Sequence, residues 1–196
     1  MNISVFCGSS IGNNKIYSEK AISLGEEFLR QDIDLIYGAG SVGLMGVIAE
    51  TILAKNGRVV GVVPRFLEQK EVVHQNLTEI HLTETMSERK DLIIKFSDAF
   101  IAMPGGFGTF DELTEVLTLL QLEQSEKAVA LYNINGYFDP MIEQIKRGVE
   151  EKFIRKEHAD SLIISDNPKE IIQLCKDFVP PKLDKWIDEL KNKNTY

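Results

Sequence analysis

The stretch Ala99-Phe100-Ile101-Ala102-Met103-Pro104-Gly105-Gly106-Phe107-Gly108-Thr109-Phe110-Asp111-Glu112 decides the fold. Its first five residues are apolar without alternation, as in a strand covered on both faces. Pro104 and the glycines end that strand. Leu113, Val116, Leu117 and Leu120 then recur at helical spacing, which predicts a helix over 110–123. A glycine turn between a strand and a helix lets the backbone approach a ligand closely. The helix start adds free N–H groups and the positive end of the dipole, a site for an anion and most often a phosphate. Asp111 and Glu112 add carboxylates that anion binding alone does not require, which points to chemistry on a phosphorylated substrate.

The same alternation runs along the chain. Strands are predicted at Ile3–Phe6, Leu35–Tyr37, Arg58–Val63, Glu79–Leu82, Ala99–Met103, Ala128–Tyr132 and Leu162–Ile164. Helices are predicted at 14–30, 43–56, 86–97, 110–123, 137–151 and 168–178. Strands alternating with helices mean βαβ units. The expected fold is α/β: a doubly wound, Rossmann-like, mostly parallel sheet of about seven strands with helices on both faces. One catalytic, nucleotide-binding domain is expected over 1–179. Pro180 and Pro181 stop the last helix of that domain. Leu183, Trp186, Ile187 and Leu190 then give 180–196 the pattern of an amphipathic tail helix, to dock on its own chain or on a partner.

The 196 residues suffice for a sizeable core, and the net charge of −8 argues against non-specific binding to nucleic acid or an anionic membrane. Met1–Phe6 enter a strand directly, with no signal-peptide or membrane-span pattern. With only Cys7 and Cys175, the simplest reading is a reduced cytoplasmic protein. His74, His81 and His158 are scattered, and no Cys/His cluster has the spacing of metal ligands, so no metal is expected.

Two further glycine-rich segments follow predicted strands: Cys7-Gly8-Ser9-Ser10 and Gly38-Ala39-Gly40-Ser41-Val42-Gly43. In an open α/β sheet all three such turns fall on the carboxyl edge, where ligands bind. Gly8 and Ser9 are candidate ligand contacts, Ser9 and Ser10 having helix-entry capping as their structural alternative. Gly38–Gly43 fits G-x-G-x-x-G. The acid that a dinucleotide site needs at the end of the next strand is missing, and Arg65 stands in that region. The segment therefore reads as a tight turn letting backbone, Gly40 included, approach a mononucleotide. Close helix–strand packing is an equal account of Gly43 and Gly46. Cys7 has no base near it in sequence and reads as a packed thiol.

Thr85 and Glu88 fit a capping box at the start of the 86–97 helix. Arg89 and Lys90 follow, where cations oppose the helix dipole. A solvated face is the plain account of the pair. An anionic ligand would make the placement favourable, and an arginine fork suits phosphate or carboxylate. For Asp111 and Glu115 a first-turn dipole role suffices. Glu112 lies beside the apolar stripe that begins at Leu113, so it can face a cleft.

Val5–Ser10, Tyr37–Gly40, Gly43–Gly46, Glu88-Arg89-Lys90 and Pro104–Glu112 together resemble the LONELY GUY (LOG) family of cytokinin riboside 5′-monophosphate phosphoribohydrolases, often catalogued as lysine-decarboxylase-like. The similarity runs from about Ile3 to Asp177. It implies hydrolysis of the N-glycosidic bond of a nucleoside 5′-monophosphate, AMP or an N6-substituted relative, to free base and ribose 5-phosphate. It implies Arg89 and Glu112 as the catalytic pair. Substrate contacts carry over to Lys90, to Gly106, Phe107, Gly108, Thr109, Phe110 and Asp111, and to Glu71 and Thr118, beside the cradle glycine Gly105. It implies a homodimer and no cofactor. Ala39 stands where glycine is common and Phe107 where tyrosine is common. Nothing in the residues supports a decarboxylase, which would need a Schiff-base lysine and a partner for the pyridine nitrogen. Two rivals remain: a carrier that binds a nucleotide-like group such as molybdenum cofactor without cutting it, and a dinucleotide-dependent oxidoreductase.

Overall fold

The computed structural model describes residues 1–68 and 73–181. Seven strands form one sheet: β1 (Asn2–Phe6), β2 (Asp34–Tyr37), β3 (Val59–Pro64), β4 (Glu79–Thr83), β5 (Ala99–Ala102), β6 (Ala128–Tyr132) and β7 (Ile163–Ser165). Every pairing is parallel and the order is β4-β3-β2-β1-β5-β6-β7. The strand order therefore reverses between β1 and β5, and the crevice outside their carboxyl ends is where such sheets bind ligands.

Helices α1 (Lys15–Arg30), α2 (Gly43–Leu53), α3 (Arg65–Glu68), α4 (Met86–Phe96), α5 (Phe107–Gln121), α6 (Asp139–Glu150), α7 (Lys156–Asp160) and α8 (Pro168–Lys176) complete the chain, with one 3₁₀ turn at Ile134–Gly136. Side chains of a strand alternate between faces, and here both faces are covered. Ile3 and Val5 of β1, Leu35 and Tyr37 of β2, and Ala99 and Ile101 of β5 pack on one face with α1, α2 and α8. Phe6, Ile36, Phe100 and Ala102 pack on the other with α4, α5 and α6. This double burial is why inner strands such as β5 and β6 read as unbroken apolar runs, whereas the edge strand β4 mixes polar and apolar residues and leaves Ile80 and Leu82 exposed.

Several elements differ from the sequence expectation, among them α2, which ends at Leu53 rather than 56, and the 3₁₀ turn at Ile134–Gly136, which was not expected. Helix α5 starts at Phe107, not 110, so Gly108 and Thr109 belong to its first turn rather than to a loop. Helices α3 and α7 were not expected; each is too short for a 3.6-residue period to show. Gly43 is needed for both conformation and space. Its φ is +63°, and a Cβ there would lie 2.1 Å from the Ser9 carbonyl carbon. The amphipathic pattern over 180–196 lies outside the described residues from 182 onward, as does Glu71.

Candidate active site

The turn after β5 is held from two sides. The Gly8 N–H donates to the Pro104 carbonyl at 3.0 Å, which ties the turn after β1 to the turn after β5. A Cβ on Gly105 would lie 2.1 Å from Thr109 Oγ1 and 2.9 Å from the Gly8 nitrogen, so only glycine lets these segments meet. The Tyr137 hydroxyl donates to the Gly105 carbonyl from the 3₁₀ turn after β6. Beyond this clamp α5 begins with Gly106 as its N-cap, and no side chain caps it. Helix geometry leaves the N–H groups of its first turn without intrahelical partners. Apart from chain neighbours and the backbone of the helix itself, no atom lies within 4 Å of where a Cβ would stand at Gly106 or Gly108. The helix start thus opens into free space with its positive end exposed.

That space is a cleft of about 250 Å³ lined by Cys7, Gly8, Ser9, Met45, Met86 and Arg89 together with Gly106, Phe107, Gly108, Thr109, Asp111 and Glu112. Arg89 Nη2 lies 3.4 Å from Glu112 Oε1, and their side chains are only 13% and 12% exposed. Helix periodicity explains why two charged residues turn inward. Arg89 lies one turn before Ile93, the buried residue of α4. Glu112 lies one and two turns before Val116 and Leu120, both buried in α5. Each charge occupies the first position of an apolar stripe where that stripe emerges at the cleft. Thr85 caps α4 by accepting from the Glu88 N–H at 3.1 Å. The reciprocal bond of a capping box goes one residue early: the Glu88 carboxylate accepts from the Glu84 N–H, not from Thr85.

Burial pushes the Glu112 carboxyl up to about 6. Arg89 and Lys90 pull it back, while Asp111 and Glu115 push it further up. Lys90 bridges α4 and α5, 3.1 Å from both Asp111 and Glu115. Burial alone would lower its ammonium, but those two carboxylates hold it above the ordinary lysine value. This answers the placement of two cations early in α4: the carboxylates of α5 stand opposite. It also corrects the first-turn account of Asp111 and Glu115, because α5 has no acid in its first turn. Cys7 is buried, and burial together with Glu112 raises its thiol pKa, so it stays a neutral wall of the cleft.

The remaining expected residues divide. Gly8, Ser9, Gly106, Phe107, Gly108, Thr109 and Asp111 line the cleft. Phe107 stands at the rim, 91% exposed. The Phe110 ring packs instead on the core under α5. Gly40 lies off the cleft wall; it pairs with Val73 and faces the Met45 side chain. Thr118 lies exposed farther along α5, with its hydroxyl bonded back to the Thr114 carbonyl at 2.7 Å. Sequence reasoning missed Met45, Met86 and Tyr137. The two methionines each lie in the first turn of a helix that starts at the carboxyl edge, and that position is the signal that could have found them.

A family model described as "Possible lysine decarboxylase" matches residues 45–175. Cytokinin riboside 5′-monophosphate phosphoribohydrolase LOG1 of Arabidopsis thaliana is 41% identical over 91% of this chain and 84% of its own length. Probable cytokinin riboside 5′-monophosphate phosphoribohydrolase LOGL2 of Oryza sativa subsp. japonica is 40% identical over 96% of this chain and 77% of its own. The chain belongs to the LOG family.

Solved structures show the same fold at greater distance. A molybdenum cofactor binding protein from Rippkaea orientalis aligns with a TM-score of 0.65 and 21% identity, covering 90% of this chain and 95% of that one. A Moco carrier protein from Chlamydomonas reinhardtii aligns with 0.66 and 18%, covering 90% and 96%. In this LOG chain the lysine beside the cleft is Lys90, held protonated between two carboxylates. A Schiff-base lysine needs the reverse environment. Among the described residues no group of His, Cys, Asp and Glu is arranged to hold a metal ion, and no helix is long and apolar enough to cross a membrane.

Proposed function

We propose that the chain hydrolyses the N-glycosidic bond of a nucleoside 5′-monophosphate, releasing the free base and ribose 5-phosphate. The observation that carries this reading is the largely buried Arg89–Glu112 pair, 3.4 Å apart, sharing one cleft with an uncapped helix start. The names of the LOG relatives point the same way. The phosphate goes to the α5 start, at Gly106–Thr109 beside Gly105, with Gly8 and Ser9 opposite. Breaking the C–N bond leaves its electron pair on the base and positive charge on the ribose. The Glu112 carboxylate stabilises that charge, accepts a proton from the attacking water and passes a proton on to the departing base. Arg89 orients the substrate and holds Glu112 ionised. Binding energy from the phosphate fixes the reacting carbon against Glu112.

Asp111 and Lys90 are proposed as contacts at the ribose side, and Glu71 as a further contact. Thr118 is exposed and does not line this cleft, so a role for it calls for a second copy of the chain. A homodimer, which the family resemblance implies, is part of the reading, and so is a cytoplasmic setting, which rests on the two free cysteines. A monomeric mass by light scattering in the presence of substrate would remove Thr118 and the dimer from it, and an exported native protein would remove the compartment.

The test is a panel of nucleoside monophosphates, AMP and N6-substituted AMP among them, scored for free base. Base release from AMP, far slower release from adenosine, and a loss of ~10²-fold or more in Glu112→Gln and Arg89→Ala are expected. Adenosine cleaved as fast as AMP would remove the phosphate role of α5. Tight binding of AMP with no base released would favour the carrier reading, and titratable NAD(P) would favour the oxidoreductase.

A further inference from the structure

The first glycine of the G-x-G-x-x-G segment lies against a side chain and not on the cleft wall. Gly38 is buried just past β2, and its φ is not in the left-handed region, so its own backbone does not call for glycine. Arg89 calls for it. A Cβ on Gly38 would lie 2.0 Å from Arg89 Nη2 and 3.2 Å from Cζ. Non-bonded heavy atoms settle at about 3.5–4.0 Å. The guanidinium thus rests on a bare α-carbon. Its other nitrogens fix its direction: Nε donates to the Val62 carbonyl at 3.2 Å, one residue past the last β2–β3 pair, Tyr37 with Gly61. Nη1 points to Met86 Sδ at 3.8 Å. Nη2 is left facing Glu112.

We propose that Gly38 is a positioning residue for the hydrolysis: its missing side chain is the socket that seats Arg89 over the sheet edge and aims it at Glu112. This rests on the hydrolytic reading of the Arg89–Glu112 pair. A methyl group at Gly38 drives the guanidinium outward by more than about 1 Å, and a displacement of that size at an active site can cost ~10²-fold in rate.

The experiment is a double-mutant cycle of Gly38→Ala and Arg89→Ala, read by kcat, KM for AMP, the pH profile and Tm. Gly38→Ala should lower kcat by about 10²-fold while KM changes by less than about 3-fold, because the phosphate cradle is untouched. The acid limb of its pH profile should move to higher pH, since Arg89 holds Glu112 ionised. In the Arg89→Ala background Gly38→Ala should cost no further turnover and no further Tm. Wild-type kcat and pH profile in Gly38→Ala would overturn the proposal. A loss of Tm from Gly38→Ala that is as large without Arg89 as with it would do the same. Should Gly38→Ala alone fail to fold, the double variant decides: as stable as Arg89→Ala supports the socket, unfolded overturns it. If the wild-type protein releases no base from any nucleoside monophosphate, the hydrolytic reading falls, while the Tm cycle still reports whether Gly38 seats Arg89.

Discussion

Glu112 is held where a carboxylate is costly, and this sets the pH behaviour of the fold as well as of the reaction. Its folded pKa is about 6, against 4.5 for an ordinary glutamate. Between those values the folded state binds more protons than the unfolded state, so stability falls as pH rises through that window. Above it, ionised Glu112 costs the fold about 2 kcal/mol at 1.36 kcal/mol per pKa unit. Glu112→Gln should therefore raise Tm at pH 7.5, with the gain disappearing near pH 4.5, while turnover drops. Equal Tm differences at both pH values in paired thermal melts would contradict this. The residue was legible because it closes the Pro104–Glu112 motif and stands beside the apolar stripe that begins at Leu113. Gly38 was not legible in its real role, since nothing in a glycine-rich loop announces which distant side chain fills the space a Cβ would take.

Helices α4 and α5 act as a facing pair, and the charges between them tune the site. Lys90 lowers the pKa of Glu112, and Asp111 raises it. The two neighbours therefore move the acid limb of the pH–rate profile in opposite directions. Lys90→Gln should shift it to higher pH and Asp111→Asn to lower pH, whatever either does to KM. Shifts in the same direction would show that this pairing does not control Glu112. The long helices were legible from their apolar stripes. The start of α5 was not, because Gly108 and Thr109 are weak helix formers that sequence reasoning assigns to a turn. They are tolerated in the first turn because its N–H groups lack intrahelical partners in any case. Only the packed structure pairs Lys90 with both Asp111 and Glu115, since that register depends on how two helices cross β5.

At the scale of the whole molecule, seven strands and their parallel direction followed from apolar runs alternating with helices. Their order did not follow from those runs alone, because an alternating pattern says which elements exist but not where the winding reverses. The reversal puts β1 and β5 side by side in the interior of the sheet, with β2 and β6 as their outer neighbours. Every strand residue of β5 is buried, and β1 is exposed only toward its first residue. The proposed catalytic pair brackets β5 in sequence, and the turn proposed to cradle the phosphate is tied to the turn after β1 by the Gly8–Pro104 hydrogen bond. The site is thus fastened to the buried interior of the sheet, where local opening is expected to be rarest, not to an edge strand. In a urea titration, loss of catalysis and loss of ellipticity should share one midpoint and one slope, as a single cooperative event. Catalysis failing at lower urea than ellipticity would mean that the cleft opens on its own. A site placed this way is inactivated by the collapse of the whole fold rather than by local loosening, so substitutions far from the cleft that raise global stability should extend its working range without touching its chemistry.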